Sequence, residues 1–223
     1  MKKTMLGLTL LALCSATALA ASHGPQNAHT QASKVIHRSA DSDAGLKKIF
    51  TNLGPSTDAF DSSNGYFVMG DTNAAYGYSQ DIAIPFTPKK NSTITKVKAA
   101  LQYYDFGGGQ TNAAILGIAK DASGLPGKIV AKKTLKNFQD FGSGCCKLAT
   151  WNLKTPLAVK KKKQYWVVGT AQAKLPDVIN TWDFVYNDAP GAFAFQQEEG
   201  GWILLTESDG YPPSATAVYG TIP

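Results

Sequence analysis

The stretch "TITKVKAALQYY", Thr93 to Tyr104, decides the fold class. Val97, Ala99, Leu101 and Tyr103 fall on one side of an extended chain, and Lys96, Lys98 and Gln102 on the other. Side chains of a β-strand alternate between two faces, so this period of two specifies a half-buried strand and excludes an amphipathic helix. Further short segments of the same kind follow between Gly, Pro, Asn and Asp: Tyr78 to Phe86, Ala113 to Ala119, Ile129 to Leu135, Leu148 to Leu153, Gln164 to Ala171, Ile179 to Tyr186, Ala192 to Gln196, Trp202 to Thr206 and Ala215 to Gly220. About ten strands without a long helix predict an all-β protein, an antiparallel β-sandwich of jelly-roll-like build. One segment is ambiguous. "LKKIFTNLGP" sets Leu46, Ile49, Phe50 and Leu53 on a helical stripe, yet Lys48 to Leu53 also reads as a first strand.

Upstream of this body the chain changes character twice. Residues 1–20, "MKKTMLGLTLLALCSATALA", combine a two-lysine start, an apolar run from Met5 to Leu13 and small residues before a cut between Ala20 and Ala21. That is the pattern of a secretory signal, and its apolar run is too short to span about 30 Å of hydrocarbon. The expectation is a secreted or periplasmic protein with no membrane span. Residues 21–46 are polar, lack aromatics, and hold all three histidines, His23, His29 and His37, which predicts a flexible polar extension before a single domain at 47–223.

Without the signal, 20 basic residues face 16 acidic ones, and Arg38 is the one arginine. Lysine without arginine is a poor reader of phosphate and guanine edges, so no nucleic-acid partner is expected. The run Lys160 to Lys163 reads as a solvated turn or a guarded sheet edge.

The body contains no histidine, which excludes a Ser-His-Asp or Cys-His arrangement within it. No cofactor and no metal are expected. "DASGLPG", Asp121 to Gly127, offers too few carboxylates for calcium and reads as a hairpin turn. "DFGGGQTN", Asp105 to Asn112, lacks the Lys-Ser/Thr of a phosphate loop.

Two features remain. The first is the adjacent pair Cys145 and Cys146 in "FGSGCCKLATW". In an oxidising compartment they can pair with each other, although neighbouring Cα atoms lie about 3.8 Å apart and ordinary disulfides need about 4.4 to 6.8 Å. Closing so short a loop stabilises by only about 1 kcal/mol, which argues against a fold staple. A turn lock, a rigid platform in a ligand site, and a redox switch or reduced buried pair all stay open. The second feature is the aromatics. Trp202, beside Glu198-Glu199-Gly200-Gly201, is the foremost exposed candidate, Tyr211 in "SDGYPPS" the next, and Trp182 shares a strand face with Phe184 and Tyr186 that suits a core or a sugar platform. Asp105, Asp140, Asp183, Asp188, Glu198 and Glu199 could supply the two carboxylates of a glycan hydrolase.

The series "KIFTNLGPS", "SQDIAIPFTPKKNSTITKVKAAL", "KDASGLPGKIV", "FGSGCCKLATW", "LAVKKKKQYWVVGTA" and "INTWDFV" resembles uncharacterised secreted bacterial proteins with a choice-of-anchor-type β-sandwich domain. The resemblance runs over nearly all of residues 47–223, implies a strand at Lys48 to Leu53, and supplies no activity. Together these observations favour an exported, non-catalytic binding or surface-interaction module, with an extracellular polysaccharide or cell-surface component as partner. The alternatives are a structural matrix protein without a small ligand and a carboxylate-dependent glycan hydrolase.

Overall fold

The computed structural model describes residues 24–29, 45–73, 75–107, 110–171, 175–198 and 200–223. The signal segment with Ala20 and Ala21, and most of the polar extension with His23 and His37, lie outside the described residues. The described chain is all-β. Its strands are β1 (Asn27–His29), β2 (Lys47–Thr51), β3 (Phe60–Met69), β4 (Gln80–Phe86), β5 (Ser92–Ala99), β6 (Leu101–Tyr103), β7 (Ala113–Ala122) and β8 (Leu125–Lys136). They continue as β9 (Ala149–Val159), β10 (Tyr165–Thr170), β11 (Ile179–Val185), β12 (Phe193–Gln197), β13 (Ile203–Leu205) and β14 (Thr216–Thr221). The ambiguous segment after Leu46 is a strand, β2.

The strands form two antiparallel sheets. The larger runs β6-β11-β3-β4-β10-β7-β8, with β1 added beside β3 and the β12–β13 hairpin joined through β12 to β4; the smaller runs β2-β14-β5-β9. Alternation explains the packing between them. From the small sheet Ile94, Val97, Ala99 and Val218 point inward, and they meet Tyr66, Val68, Ile82, Ile84, Leu116, Val167 and Trp182 of the large one. The opposite face of the large sheet carries two smaller apolar clusters, one built on Trp166 and Val168, the other on Phe67, Met69 and Ile179. Strand β10 is therefore buried on both faces, which accounts for its unbroken apolar sequence "YWVVGT".

Two expected features take defined form. Lys160 to Lys163 make an exposed turn, in which Lys162 has φ 59° and donates its amide to the Pro88 carbonyl at 3.0 Å. The edge strand β8 carries Lys128, Lys132, Lys133 and Lys136, charges that discourage pairing with another chain. Within the span expected to be a flexible extension, Asn27–His29 pair in register with Tyr66, Gly65 and Asn64 of β3. The Gln80 side chain holds them there, accepting from the Gln26 amide at 2.9 Å and donating to the Gln26 carbonyl at 3.2 Å.

Gly169 of β10 lies at a close-packed point of the core. A Cβ there would stand 2.7 Å from Cε3 of Trp182 and 3.3 Å from Val68, so the indole occupies the space that a side chain would take. Gly169→Ala should destabilise the fold by about 1–3 kcal/mol in urea denaturation, as overpacked cores do. Gly201→Ala, where nothing lies within 4 Å, should be close to neutral.

On the outward side of β4, burial pushes the Asp81 carboxyl up from 3.8 to about 6, against the opposing pull of the Thr170 hydroxyl and the Ala171 amide. The folded chain thus holds a proton there that the unfolded chain has released. This contribution is fully present below about pH 4 and is lost as pH rises through about 6, a change of up to about 3 kcal/mol. Stability of Asp81→Asn measured from pH 4 to 7.5 should fall less with pH than that of the wild type.

Candidate functional site

The aromatic residues that reach solvent together come from two turns rather than from a strand. The first turn follows β3. Buried Asn73 organises it: Nδ2 donates to the carbonyls of Gly70 (2.5 Å) and Tyr78 (2.7 Å), while Oδ1 accepts from the amides of Ala75 (3.2 Å) and Tyr76 (2.8 Å). Gly77 completes the reversal with φ 71°. The turn sets the Tyr76 ring against those of Phe67 and Tyr78. The second turn follows β6. There the Phe106 amide donates to Gln110 Oε1 (3.2 Å), and the Gly107 amide donates to Asp105 Oδ1 (2.8 Å).

These turns bring six rings into one strip on the outer face of the large sheet. Phe67 of β3 is its foot, edge-on to Tyr104 at 5.2 Å and tilted against Tyr76 at 5.5 Å. Tyr104 lies near-parallel to Phe106 at 6.0 Å and touches Phe141 at 5.6 Å; Tyr76 reaches Tyr78 at 5.8 Å and Phe106 at 6.5 Å. Tyr76 is 39% and Phe106 51% exposed, and the others descend toward the cluster of Phe67, Met69 and Ile179. Adjacent exposed rings on a folded domain make this strip the candidate contact surface. Beside it, Gln110 is buried and its Nε2 has no hydrogen-bond partner. Burial, with Tyr104 next to it, holds the Tyr76 phenol above its ordinary value, and burial with Tyr76 does the same to Tyr78. The rings of the strip are therefore uncharged at neutral pH, and the Asp105 carboxylate lies beside Phe106 at their edge.

The residues singled out from sequence sit elsewhere. Trp182 is 0% exposed, wedged against Gly169 with Nε1 donating to the Ala215 carbonyl at 2.9 Å, so its faces are not available to a ligand. Trp202 is half-buried over Trp166 and Val168. Tyr211 is 40% exposed on the loop before β14, outside the strip. No helix among the described residues is long and apolar enough to cross a membrane.

Cys145 and Cys146 are bonded to each other and buried, and both belong to the main core. Both sulfurs accept the Ala59 amide, at 3.2 and 3.1 Å. The turn that carries them is clamped by β6. Gln102 donates to the Gly144 carbonyl (3.1 Å) and accepts from the Gly142 amide (3.1 Å), and Gln139 donates to the same Gly144 carbonyl (2.7 Å). This arrangement fits a turn lock. A flat exposed platform does not match sulfurs so deeply packed, although Cys145 borders a cleft of ≈ 360 Å³ and Cys146 one of ≈ 240 Å³.

Of the carboxylates considered for hydrolysis, Asp105 caps the Phe106 turn, and Glu199 lies outside the described residues. Asp188 stands within hydrogen-bonding reach of Asp61. That is closer than the roughly 5 Å or more separating the two carboxyls of a glycosidase.

Neither a protein-family model nor a curated protein sequence matches the chain.

The Asn73 turn gives a direct check on how the strip is held. Asn73→Ala removes four hydrogen bonds and leaves buried backbone groups unpaired, so it should cost about 1–3 kcal/mol. The near-ultraviolet circular dichroism of the tyrosines should weaken with it, as Tyr76 loses its fixed orientation.

Proposed function

We propose that the protein is an exported, non-catalytic carbohydrate-binding module that stacks sugar rings of an extracellular or cell-surface polysaccharide on Tyr76, Tyr78, Tyr104 and Phe106. The observation that carries this reading is the exposure of Tyr76 and Phe106 at the top of a six-ring strip. A sugar ring has an apolar face of C–H groups edged by hydroxyls. Its complement is a ring face edged by polar groups, which the Tyr76 hydroxyl and the Asp105 carboxylate provide beside Phe106. Export follows from reading residues 1–20 as a secretory signal. A non-catalytic role agrees with the histidine-free body and with the spacing of the Asp61–Asp188 pair.

Affinity electrophoresis in gels cast with soluble polysaccharides, together with a glycan array, tests the proposal. Retardation by at least one glycan is expected. It should fall about tenfold for Tyr76→Ala or Phe106→Ala, about 1.4 kcal/mol each, and stay unchanged for Trp202→Ala and Tyr211→Ala. Release of new reducing ends would replace the binding reading with a hydrolase. No retardation in any gel would leave the structural matrix reading in its place.

A further inference from the structure

The charge around the aromatic strip runs against that of the chain. Lysine and arginine outnumber aspartate and glutamate in the protein, 22 to 16. The three segments that bring the rings together reverse this balance. Residues 70–80 (GDTNAAYGYSQ), 104–112 (YDFGGGQTN) and 139–146 (QDFGSGCC) carry Asp71, Asp105 and Asp140, all exposed, and neither lysine nor arginine.

Local geometry ties carboxylates to both ends of the strip. At one end Asp105 Oδ1 accepts the Gly107 amide at 2.8 Å, which fixes the carboxylate beside Phe106, the most exposed of the rings. Asp177 is pinned to the same turn, its Oδ2 accepting the Thr111 amide (3.2 Å) and hydroxyl (2.8 Å). The Tyr103 hydroxyl, which donates to the Gln110 carbonyl of that turn at 2.9 Å, is raised by burial first and then by Asp105, Asp140 and Asp177. At the other end Glu198 is exposed, and its amide donates to the Ser79 carbonyl at 3.0 Å. It stands close enough to Tyr78 for its charge to add to burial and Tyr76 in raising that phenol, against a hydrogen bond from Gln26.

The exposed rings supply the other half of a cation's needs. A positive charge within about 6 Å of a ring centroid is drawn to the ring's negative face. The Tyr76 and Phe106 centroids stand 6.5 Å apart, so one ammonium group above the gap lies within that range of both. Carboxylates alone attract any cation, and rings alone attract any apolar face. Together they select a ligand that carries a stacking face and a positive charge on the same unit. An amino sugar has both, whereas a lysine side chain has the charge without a ring to lay on the aromatics.

We propose that the strip takes a polysaccharide of amino sugars whose amino groups are free and protonated. This rests on the reading of the strip as a sugar-binding surface and names the class of sugar. The sugar rings stack on Tyr76 and Phe106, and their ammonium groups are drawn to Asp105 at one end and Glu198 at the other. The lysine excess of the remaining surface repels such a polymer, which confines it to the strip.

The test is isothermal titration of the mature chain with the hexamer of β-1,4-linked glucosamine and with its N-acetylated counterpart, at about pH 6. The two share a backbone and differ in charge. The glucosamine hexamer should bind about tenfold tighter at low salt, and the preference should shrink to about twofold in about 1 M sodium chloride, where the Debye length is about 3 Å. Asp105→Asn keeps the acceptor that the Gly107 amide needs, and Glu198→Gln keeps its size; each should lower the preference about threefold. Glu207→Gln, the same change of charge on an exposed residue outside the strip, should leave it as in the wild type. Equal binding of the two hexamers, or tighter binding of the N-acetylated one, overturns this inference and leaves the sugar-binding reading standing. Silence toward both hexamers and toward every glycan of the array overturns the two together. Poly-L-lysine held more tightly than the glucosamine hexamer overturns the inference in favour of a basic polypeptide, and so does a loss of preference in Glu207→Gln equal to that in Asp105→Asn, which would make net charge the cause.

Discussion

The architecture depends on a seam at which the two sheets exchange backbone hydrogen bonds. The chain passes from β5 in the small sheet to β6 in the large one through Ala100, and Ala215 stands at the corresponding entrance to β14. At this crossing the Asp183 amide donates to the Ala100 carbonyl (2.9 Å), the Ala215 amide to the Asp183 carbonyl (2.8 Å), and the Ala100 amide to the Ala215 carbonyl (3.1 Å). The Trp182 indole adds a further donor to that last carbonyl. Buried main-chain groups must find partners, and a chain changing sheets would otherwise leave several without one. Beside this crossing the indole of Trp182 fills the volume that Gly169 leaves open.

From this seam the aromatic strip and the cysteine turn take their positions. Strand β6 is three residues long, yet Gln102 holds the cysteine turn while Tyr103 leads directly into Tyr104 and Phe106 of the strip. The Tyr103 amide and carbonyl also bond Gln139 and Phe141, which seats the Phe141 ring against Tyr104. A rigid crossing thus supports loops whose own sequences, rich in glycine, would not hold a shape. The disulfide belongs to the same logic. With its sulfurs accepting the Ala59 amide, it fixes the start of β3, and hence the approach to the Asp61 bulge, from the opposite side.

Much of this was legible in the sequence, and the failures have physical causes. Alternation located β5, β7, β10, β11 and β14, because each has one face in the main core. It missed β3, a strand of the large sheet's interior, since Asp61-Ser62-Ser63-Asn64 interrupts the pattern where the strand bulges, and polar residues in a row read as a loop. It missed β1 because three residues carry no period; their pairing depends on the Gln80 amide contributed from 54 positions away. Trp182 was a fair core candidate, and burial settles its place. Trp202 and Tyr211 were favoured for lying near polar loops, yet composition near a ring does not say whether other rings join it. The strip's signal was present in "AYGYSQ" and "YYDFG", aromatics bounded by glycine in turns, where side chains have no sheet face to bury into. What the sequence could not convey is that Asn73 and β6 aim those two turns at each other.

Charge is spread unevenly over the described residues. Lysines occupy the outward positions of β5 and β8 and the turn at 160–163, whereas the strip is held neutral and the bulge beside Cys145 gathers carboxylates. A protein selecting an acidic polymer would set lysine beside its exposed rings, because charge attracts over a Debye length of about 8 Å. Here Asp105, Asp140 and Asp177 lie near Tyr103, at the root of the strip, and push its phenol up after burial has done most of the work. That field repels polyanions at the aromatic face. It also separates that face electrostatically from the lysine-rich edge strand β8 of the large sheet.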